Sequence, residues 1–585
     1  MKVEDFFNLV PFINNEAIAG DFVIEHKGVD RYLVANRGGD VYVDLNEDSE
    51  VVPPYPVPID YVPGGLAKLG IEVLGGASGF STEEPCTGLA LCYNGDYLLI
   101  DSIPFLDQHL FARGISKNQV SAVFLTHLHD DHCSMFPLME MPHRVEVITT
   151  EEIFTMAMEK LSCSLGWKLD VVAEHFELIP VQPGDTMNYY GLNIEIHNTV
   201  HSIPTIGATF STIHKGQFRD VCIVGDNQNM AAVRSMGESG IVRAATVENL
   251  ERLYKQSFHL LIADGGAGEI HGDPADALES EAERVVFVHV DKMPPALQTT
   301  FSLASSGKRY TLLEGDSMIY TSQINHYLTL WLAQPFPNRW MRNLLAEQEI
   351  YRYNTEDVII LQEAATHGSV YLILTGYCEV VRVENGTREK VAMLQAGDII
   401  GEMAVLTGSG IRNASVVART PVTVCVFAEE TFRNFIRYSG LQDMLENRWL
   451  LRPVIKLLPQ FAKLSSTVTD KISRIAEWKV VEGGHTLWLD DEHLYIFVEG
   501  FGSIINADGG EEKVVNGEEL GWRPYADSRT VEITATTDCG LISIEAGAYL
   551  QLLKTTPQPN YQTRKRLGVE SYEKVDWLLG EVSVY

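Results

Sequence analysis

Three histidines and two aspartates fall within six positions, His127-Leu128-His129-Asp130-Asp131-His132, directly after the apolar run Ala122-Val123-Phe124-Leu125. The run reads as a buried strand, and the polar groups gather at its end. Alternate side chains of an extended segment share a face, so His127 and His129 can grip one metal ion. Asp131 and His132 follow where the chain must turn, and from there they can reach a second. Two divalent ions about 3.5–4 Å apart hold a bridging water and lower its pKa toward roughly 7, so the chemistry indicated is hydrolysis. The competing reading is a polar loop whose histidines only hydrogen-bond. Five ligand-type residues in six positions argue against it.

The spacing His-x-His-x-Asp-His after a strand resembles the metal motif of the metallo-β-lactamase superfamily of hydrolases. Downstream, His201 (Thr199-Val200-His201-Ser202), Asp226 (Cys222-Ile223-Val224-Gly225-Asp226) and His289 (Val286-Phe287-Val288-His289) each close an apolar run. The resemblance implies that His201 completes the histidine set of the first ion, that Asp226 bridges both, and that His289 sits on the second. The implied ligands are thus His127, His129, Asp131, His132, His201, Asp226 and His289, with Asp131 counted also as catalytic. Two divalent ions are implied, zinc first, with manganese and iron compatible with a His/Asp donor set. The segment His201 to Ala208 looks like that of the ribonuclease Z and class II cyclic-nucleotide phosphodiesterase branch. Ile270-His271-Gly272-Asp273-Pro274 stands where that branch carries a further catalytic histidine, which implies such a role for His271. The alternative is a loop residue ahead of a helix begun by Pro274. Asp101, at the end of Asp96-Tyr97-Leu98-Leu99-Ile100, is either a turn residue or a carboxylate that orients a metal histidine, as in this superfamily.

These residues need elements to hold them, and 585 residues are too many for one core. Strands and helices alternate from about Gly70 to residue 320, which fits two sheets flanked by helices. Thr150 to Trp167 reads as a helix with its Met and aromatic positions in the core. Ahead of this lie a hairpin around Asn36-Arg37-Gly38-Gly39-Asp40 and the proline-rich Val52 to Pro58, a boundary or a strap. Helical pieces interrupted by Pro335-Phe336-Pro337 lead into short β-rich runs of a jelly-roll kind.

Within those runs, Gly397 to Val416 resembles the phosphate-binding cassette of cyclic-nucleotide-binding domains. A short turn there presents backbone N–H groups to a cyclic phosphate, an arginine pairs with its charge, and a glutamate accepts from the ribose hydroxyl. The resemblance gives these roles to Gly401, Glu402 and Arg412, while Asn413 leaves the choice between cAMP and cGMP open. Leu494 to Gly500 and Gly517 to Trp522 echo the pattern with Trp522 in the glutamate's place, so the second copy reads as degenerate. Arg529 is its candidate phosphate arginine. Arg564-Lys565-Arg566 reads as a solvated helix face. The expected fold class is an αββα metallo-β-lactamase sandwich followed by two jelly-roll-like β-barrels. Expected boundaries are 1–60 (N-terminal β-rich extension), 61–325 (hydrolase), 326–350 (linker helices), 351–445 (sensor) and 446–585 (second barrel and tail).

A net charge of -34 disfavours extended nucleic acid, which needs clustered Lys and Arg. Eight scattered cysteines without a Cys-x-x-Cys pair look like small core residues of a reducing compartment. The N-terminus lacks a signal peptide's basic start, and no apolar run is long enough to span a bilayer. A cytoplasmic, homo-oligomeric protein without a membrane partner is expected. Its expected function is a dinuclear-metal phosphodiesterase on a small phosphodiester, regulated by a cyclic nucleotide that is itself a candidate substrate. Acyl ester, thioester or lactone hydrolysis under the same control is the alternative. A non-enzymatic cyclic-nucleotide scaffold is disfavoured by the complete ligand set.

Overall fold

The computed structural model describes residues 10, 16–28, 31–44, 52–266, 270–333, 338–365, 369–407, 411–507, 509, 511–522, 530–567 and 579. It divides into two units, Met1–Pro53 and Pro54–Tyr585. The first holds an antiparallel sheet of Glu16–Ala19, Phe22–Gly28, Arg31–Asn36 and Gly39–Asp44 in sequential order. Asn36 pairs with Gly39, so the turn falls at Arg37-Gly38.

The second unit begins with two seven-stranded sheets. One runs in the order Phe176–Pro180, Val145–Thr149, Val120–Phe124, Asp96–Ile100, Gly88–Tyr93, Ala67–Gly75, Arg309–Glu314. The other runs Thr186–Tyr189, Leu192–Asn198, Ile206–His214, Gln217–Ile223, Leu260–Asp264, Val285–Val288, Ser302–Leu303. Parallel strands covered on both faces read as continuous apolar runs, and Leu99, Val123, Phe124, Ile262 and Val286 are accordingly all buried. Phe124 meets Phe210 of the facing sheet edge to face, with centroids 5.7 Å apart. Helices Met230–Glu238 and Ala244–Lys255 cover the outside of the second sheet through Val233, Leu250, Leu253 and Tyr254. Glu151–Leu165 covers the first through Ile153, Ala157, Met158 and Leu161. The result is a four-layer αββα sandwich.

Strand register sets up the chemistry. Ile100 lies beside Phe124, Ile223 beside Ile262, and Asp264 beside Val288 in parallel pairs. The segments leaving those strands, Asp101, Thr126 to His132, Asp226 and His289, therefore emerge along one edge.

Beyond the helices Ser317–Leu332 and Asn338–Ala346 come two four-plus-four β-barrels built alike. The first pairs the sheet Glu349–Tyr353, Val422–Ala428, Ser369–Thr375, Ile399–Ile400 with Val358–Ile360, Ser415–Ala418, Tyr377–Glu384, Thr387–Gln395. The second repeats that order with Ala476–Val481, Cys539–Glu545, His493–Glu499, Glu519–Gly521 and Thr486–Trp488, Thr530–Ala535, Gly502–Asn506, Glu511–Lys513.

Three sequence expectations need correction. Arg564 is not on a solvated face: it is buried with its Nε on Asn560, because the helix Pro557–Leu567 packs on that side, while Lys565 and Arg566 are exposed as expected and Arg566 pairs with Glu519 at 2.9 Å. Met156 is exposed, one position off the buried stripe of its helix. Cys163, unlike the other seven cysteines, lies at the surface. The proline-rich segment behaves as a strap: Tyr55 is buried against His109, and Arg113 bonds to the Pro58 carbonyl. Pro335-Phe336-Pro337 and Arg529 lie outside the described residues, among which no helix is long and apolar enough to cross a membrane. Because Phe124 joins the two sheets, Phe124→Ala should lower the stability of the sandwich by about 3–5 kcal/mol. Denaturant unfolding followed by tryptophan fluorescence reads that loss.

Candidate metal centre and nucleotide pocket

Asp101 is the first fixed point of the site. It adopts a left-handed backbone, φ 64°, which aspartate tolerates, and its amide donates to the Phe124 carbonyl across the strand pair. Its Oδ1 accepts from the Thr126 amide at 2.7 Å, and its Oδ2 faces His132 Nδ1 at 2.7 Å. The carboxylate thus aims the His132 Nε2 into the site, and of the two readings of Asp101 the structure brings out the orienting one. Thr126 Oγ1 lies 2.9 Å from His127 Nδ1 and does the same for that ring. The Ile270 carbonyl lies 2.9 Å from His201 Nδ1.

The inward atoms gather in two groups that share one carboxylate. His129 Nδ1 lies 3.2 Å from His127 Nε2 and 3.1 Å from His201 Nε2, with Asp226 Oδ2 at 3.7 and 3.8 Å from those two rings. In the second group His132 Nε2 and His289 Nε2 are 2.8 Å apart, and Asp131 Oδ2 lies 3.4 and 4.0 Å from them. Asp226 Oδ1 stands 3.3 Å from His289 Nε2, and its Oδ2 stands 3.6 Å from His132 Nε2. All seven residues expected as ligands are brought together.

This donor set fits metal ions on its own evidence. Ring nitrogens whose outer partners hold the proton turn lone pairs toward one another, and the buried Asp226 Oδ2 has no hydrogen-bond partner. A cation at each focus removes both penalties. Ligands about 2.0–2.2 Å from a tetrahedral ion would lie roughly 3.3–3.5 Å apart, close to the spacings of the first group.

Titration follows the same logic. Burial, reinforced by the neighbouring imidazoles, drives His127 far down, and burial pushes His201 down to about 4 and His289 to about 3. These three are neutral imidazoles at pH 7, the form a metal ion takes up. Burial also presses on His132, but Asp226 and Asp101 outweigh it and raise the group well above its ordinary value. Burial, with Asp264 adding to it against the pull of His132, pushes the Asp226 carboxyl up to about 7. His271 rests on a partner that sequence reasoning left without a role: its Nδ1 lies 2.9 Å from Asp264 Oδ2, and its ring stacks on His289 with centroids 4.7 Å apart. Burial opposes the charge on His271, but the bond to Asp264 and its charge win and raise the pKa. The signal for Asp264 was available, since Leu260–Asp264, like Asp96–Ile100 with Asp101, is an apolar strand closed by an aspartate.

In the first barrel, Gly401, Glu402 and Arg412 come together. Arg412 is buried, with one guanidinium nitrogen donating to the Gly401 carbonyl at 2.9 Å and the other to the Ser369 carbonyl at 2.7 Å. Gly401 has φ 86°, and a Cβ there would lie 2.3 Å from the Arg412 guanidinium, so the turn needs glycine twice over. Glu402 opens the helix Glu402–Thr407 and is buried; that burial, against the opposing charge of Arg452, raises its pKa. Asn413 is exposed, and Gly408-Ser409-Gly410 lie outside the described residues. In the second barrel Trp522, in the glutamate's place, packs on an apolar cluster that includes Leu494 and Ile496.

Two outcomes test the centre. Asp226→Asn should drop bound divalent metal below one ion per chain, as read by elemental analysis of purified protein. Metal-free protein has His132 protonated and, below about pH 7, Asp226 as well. Metal uptake should therefore release roughly one proton at pH 8, rising toward roughly two at pH 6, with affinity falling as pH drops. Calorimetry in buffers of different ionisation enthalpy counts those protons.

Residues 351–439 match the cyclic nucleotide-binding domain family, and residues 69–231 match the family described as anti-Pycsar protein Apyc1. The chain is 24% identical over 469 residues to cGMP-dependent 3',5'-cGMP phosphodiesterase A of Dictyostelium discoideum, covering 77% of this chain and 53% of the relative. It is 25% identical over 248 residues to the cAMP/cGMP-dependent 3',5'-cAMP/cGMP phosphodiesterase B of the same organism, covering 41% and 22%. It thus spans about half the length of the first relative and about a fifth of the second. Among solved structures, human tRNase Z, short form, aligns at 17% identity and TM-score 0.32 over 42% of this chain and 100% of that one. The chain joins an αββα sandwich, with a cluster of histidines and aspartates at one edge, to a barrel that matches the cyclic nucleotide-binding domain family and a second barrel of the same strand order.

Proposed function

We propose that the protein is a metal-dependent phosphodiesterase acting on a small phosphodiester, with a 3′,5′-cyclic nucleotide as the substrate class, whose rate is set by cyclic nucleotide bound in the first barrel. The observation that carries the reading is the convergence of seven histidine and aspartate side chains on two foci that share Asp226. Two divalent ions held there would supply an activated water and neutralise phosphoryl oxygens. The chain's own residues do the rest. Asp101 and Thr126 hold His132 and His127 in their ligating orientation. With Nδ1 engaged by Asp264, His271 has Nε2 left for the substrate, and its raised pKa keeps a proton there to give to the leaving oxygen. The activities by which the two Dictyostelium relatives are named, on 3′,5′-cyclic nucleotides and dependent on them, support both substrate and effector.

Control by the barrel has a structural basis. The hydrolase segment Gly114 to Asn118 links the helix Leu106–Arg113 to the strand Val120–Phe124, which ends at the metal motif. The barrel grips that segment at several points. The Gly376 amide donates to the Gly114 carbonyl at 2.9 Å, the Tyr377 hydroxyl to the Ile115 carbonyl at 3.2 Å, and Ser116 Oγ to Gln395 Oε1 at 3.1 Å. Asn118 Nδ2 donates to the Ala396 carbonyl at 2.6 Å and to Thr467 Oγ1 at 2.8 Å. From Ala396 only Gly397, Asp398 and the strand Ile399–Ile400 separate the clasp from Gly401 and Glu402. A phosphate that draws the Arg412 guanidinium off the carbonyls of Gly401 and Ser369 would alter this turn, and the clasp conveys the change to the base of the metal-bearing strand.

Turnover of bis-p-nitrophenyl phosphate and of cyclic nucleotides by metal-loaded protein tests the reading. Asp131→Ala should lower kcat by about 10³-fold or more through loss of the second ion. His271→Gln should cost about 10²–10⁴-fold and remove the fall in kcat seen as pH rises through the pKa of His271. Arg412→Ala should keep its metal and lose the response to nucleotide, and Asn118→Ala should bind nucleotide with a weakened response. Cleavage of acyl esters with every phosphodiester left intact would overturn the proposal.

A further inference from the structure

The mouth of the metal centre can be identified from side-chain exposure. The side chains of His127, His132, His201, Asp226 and His289 are at most 3% exposed, whereas those of Asp131 and His271 are 20% and 19% exposed and His129 is half-buried. The centre therefore opens to solvent where His129, Asp131 and His271 reach the surface. The loop Ser78 to Pro85 stands on the Asp131 side of that opening. It is closed at its base by the Ala77 to Cys86 bridge and by the Ala77 amide on the Pro85 carbonyl at 3.0 Å. Both ends are tied to metal-bearing segments. Cys86 Sγ donates to the Asp131 carbonyl at 3.3 Å, and the Ser78 amide reaches Asp291, two residues past His289, at 3.5 Å.

Gly79 lies so close to the metal-facing oxygen that a Cβ there would sit 2.2 Å from Asp131 Oδ2. The next residue is Phe80, whose side chain is 94% exposed, and its amide is held by Ser78 Oγ at 3.2 Å. Single exposed apolar residues are ordinary on protein surfaces. Phe80 differs in that its loop is pinned at both ends to the metal cradle and its neighbour touches a ligand. The ring buries nothing of the protein's own, so it contributes nothing to the core that an alanine would lose.

We infer that Phe80 is a specificity residue, a stacking platform for the nucleobase of a cyclic-nucleotide substrate whose phosphate sits at the metals. The inference rests on the phosphodiesterase reading above and adds what recognises the base. A π-face at the mouth accepts any base, since stacking does not depend on hydrogen-bond edges, and it asks for no positive charge from so acidic a chain. The carboxylates nearest it in sequence, Glu83 and Glu84, are exposed. They disfavour anions at the rim and leave the phosphate its place on the ions.

The test compares Phe80→Leu and Phe80→Trp with the wild type at verified equal metal content. The substrates are a 3′,5′-cyclic nucleotide and the abasic methyl riboside 3′,5′-cyclic phosphate. Phe80→Leu keeps an apolar side chain and removes the π-face. It should raise KM for the nucleotide about tenfold with kcat nearly unchanged, and leave the abasic substrate unaffected, while Phe80→Trp keeps or improves the nucleotide KM. Equal loss on both substrates, or a loss of kcat with metal, would assign the loop a structural hold on Asp131 and overturn the stacking role. So would a leucine variant indistinguishable from wild type on a nucleotide that the wild type cleaves. A wild type that cleaves neither substrate overturns the phosphodiesterase reading and the stacking role together.

Discussion

The site depends on one buried carboxylate, Asp226. It lies within 4 Å of a nitrogen on each of five imidazoles, and its inner oxygen accepts no hydrogen bond. A carboxylate in that position is costly unless positive charge sits beside it. The metal-free chain meets the demand partly by protonating His132 and by raising the pKa of Asp226 itself. Divalent ions would meet it fully, and the sandwich is arranged so that they can. Parallel strands in register deliver Asp101, the histidine motif, Asp226, Asp264 and His289 to one edge. Two further carboxylates at strand ends, Asp101 and Asp264, hold His132 and His271.

A second consequence of that arrangement is that the metal motif is reachable from behind. The strand Val120–Phe124 leads at its C-terminal end into the histidine-aspartate cluster, and its N-terminal end starts just past the segment clasped by the first barrel. A five-residue strand is short and buried on both faces. Densely packed interiors deform little, so displacement at one end of such an element is felt at the other. The pocket formed by Gly401, Glu402 and Arg412 is therefore joined to the metal centre by a few rigid pieces. The long helix Ser317–Leu332 adds to the joint through Gln323, which bonds Asp96 at 2.9 Å, and through Tyr327, which packs beneath Gly397.

Much of this was legible in the sequence because metal ligands are constrained in type, spacing and position at once. A histidine-aspartate run directly after an apolar strand serves little purpose besides holding metal, and strand-closing residues such as Asp226 and His289 follow from the same pattern. The barrels were legible from glycine-bounded apolar alternation. Less visible were relations that depend on distant packing. Nothing local in Ile262-Ala263-Asp264-Gly265 says that Asp264 faces His271. Arg564 looks solvated until the helix Pro557–Leu567 is seen packed with Arg564 buried on Asn560. Phe80 reads as an ordinary loop aromatic until Gly79 is found against Asp131. Local pattern carries chemistry and periodicity, whereas burial of charge and the reach of loops are properties of the assembled layers.

The most direct measurement is anomalous X-ray diffraction from metal-loaded crystals, collected on either side of the absorption edge of the bound metal. The account requires two peaks about 3.5–4 Å apart. One should lie within ligand distance of His127, His129 and His201, the other within reach of Asp131, His132 and His289, with Asp226 touching both. A single peak, or two peaks with Asp226 turned away from either, would contradict it.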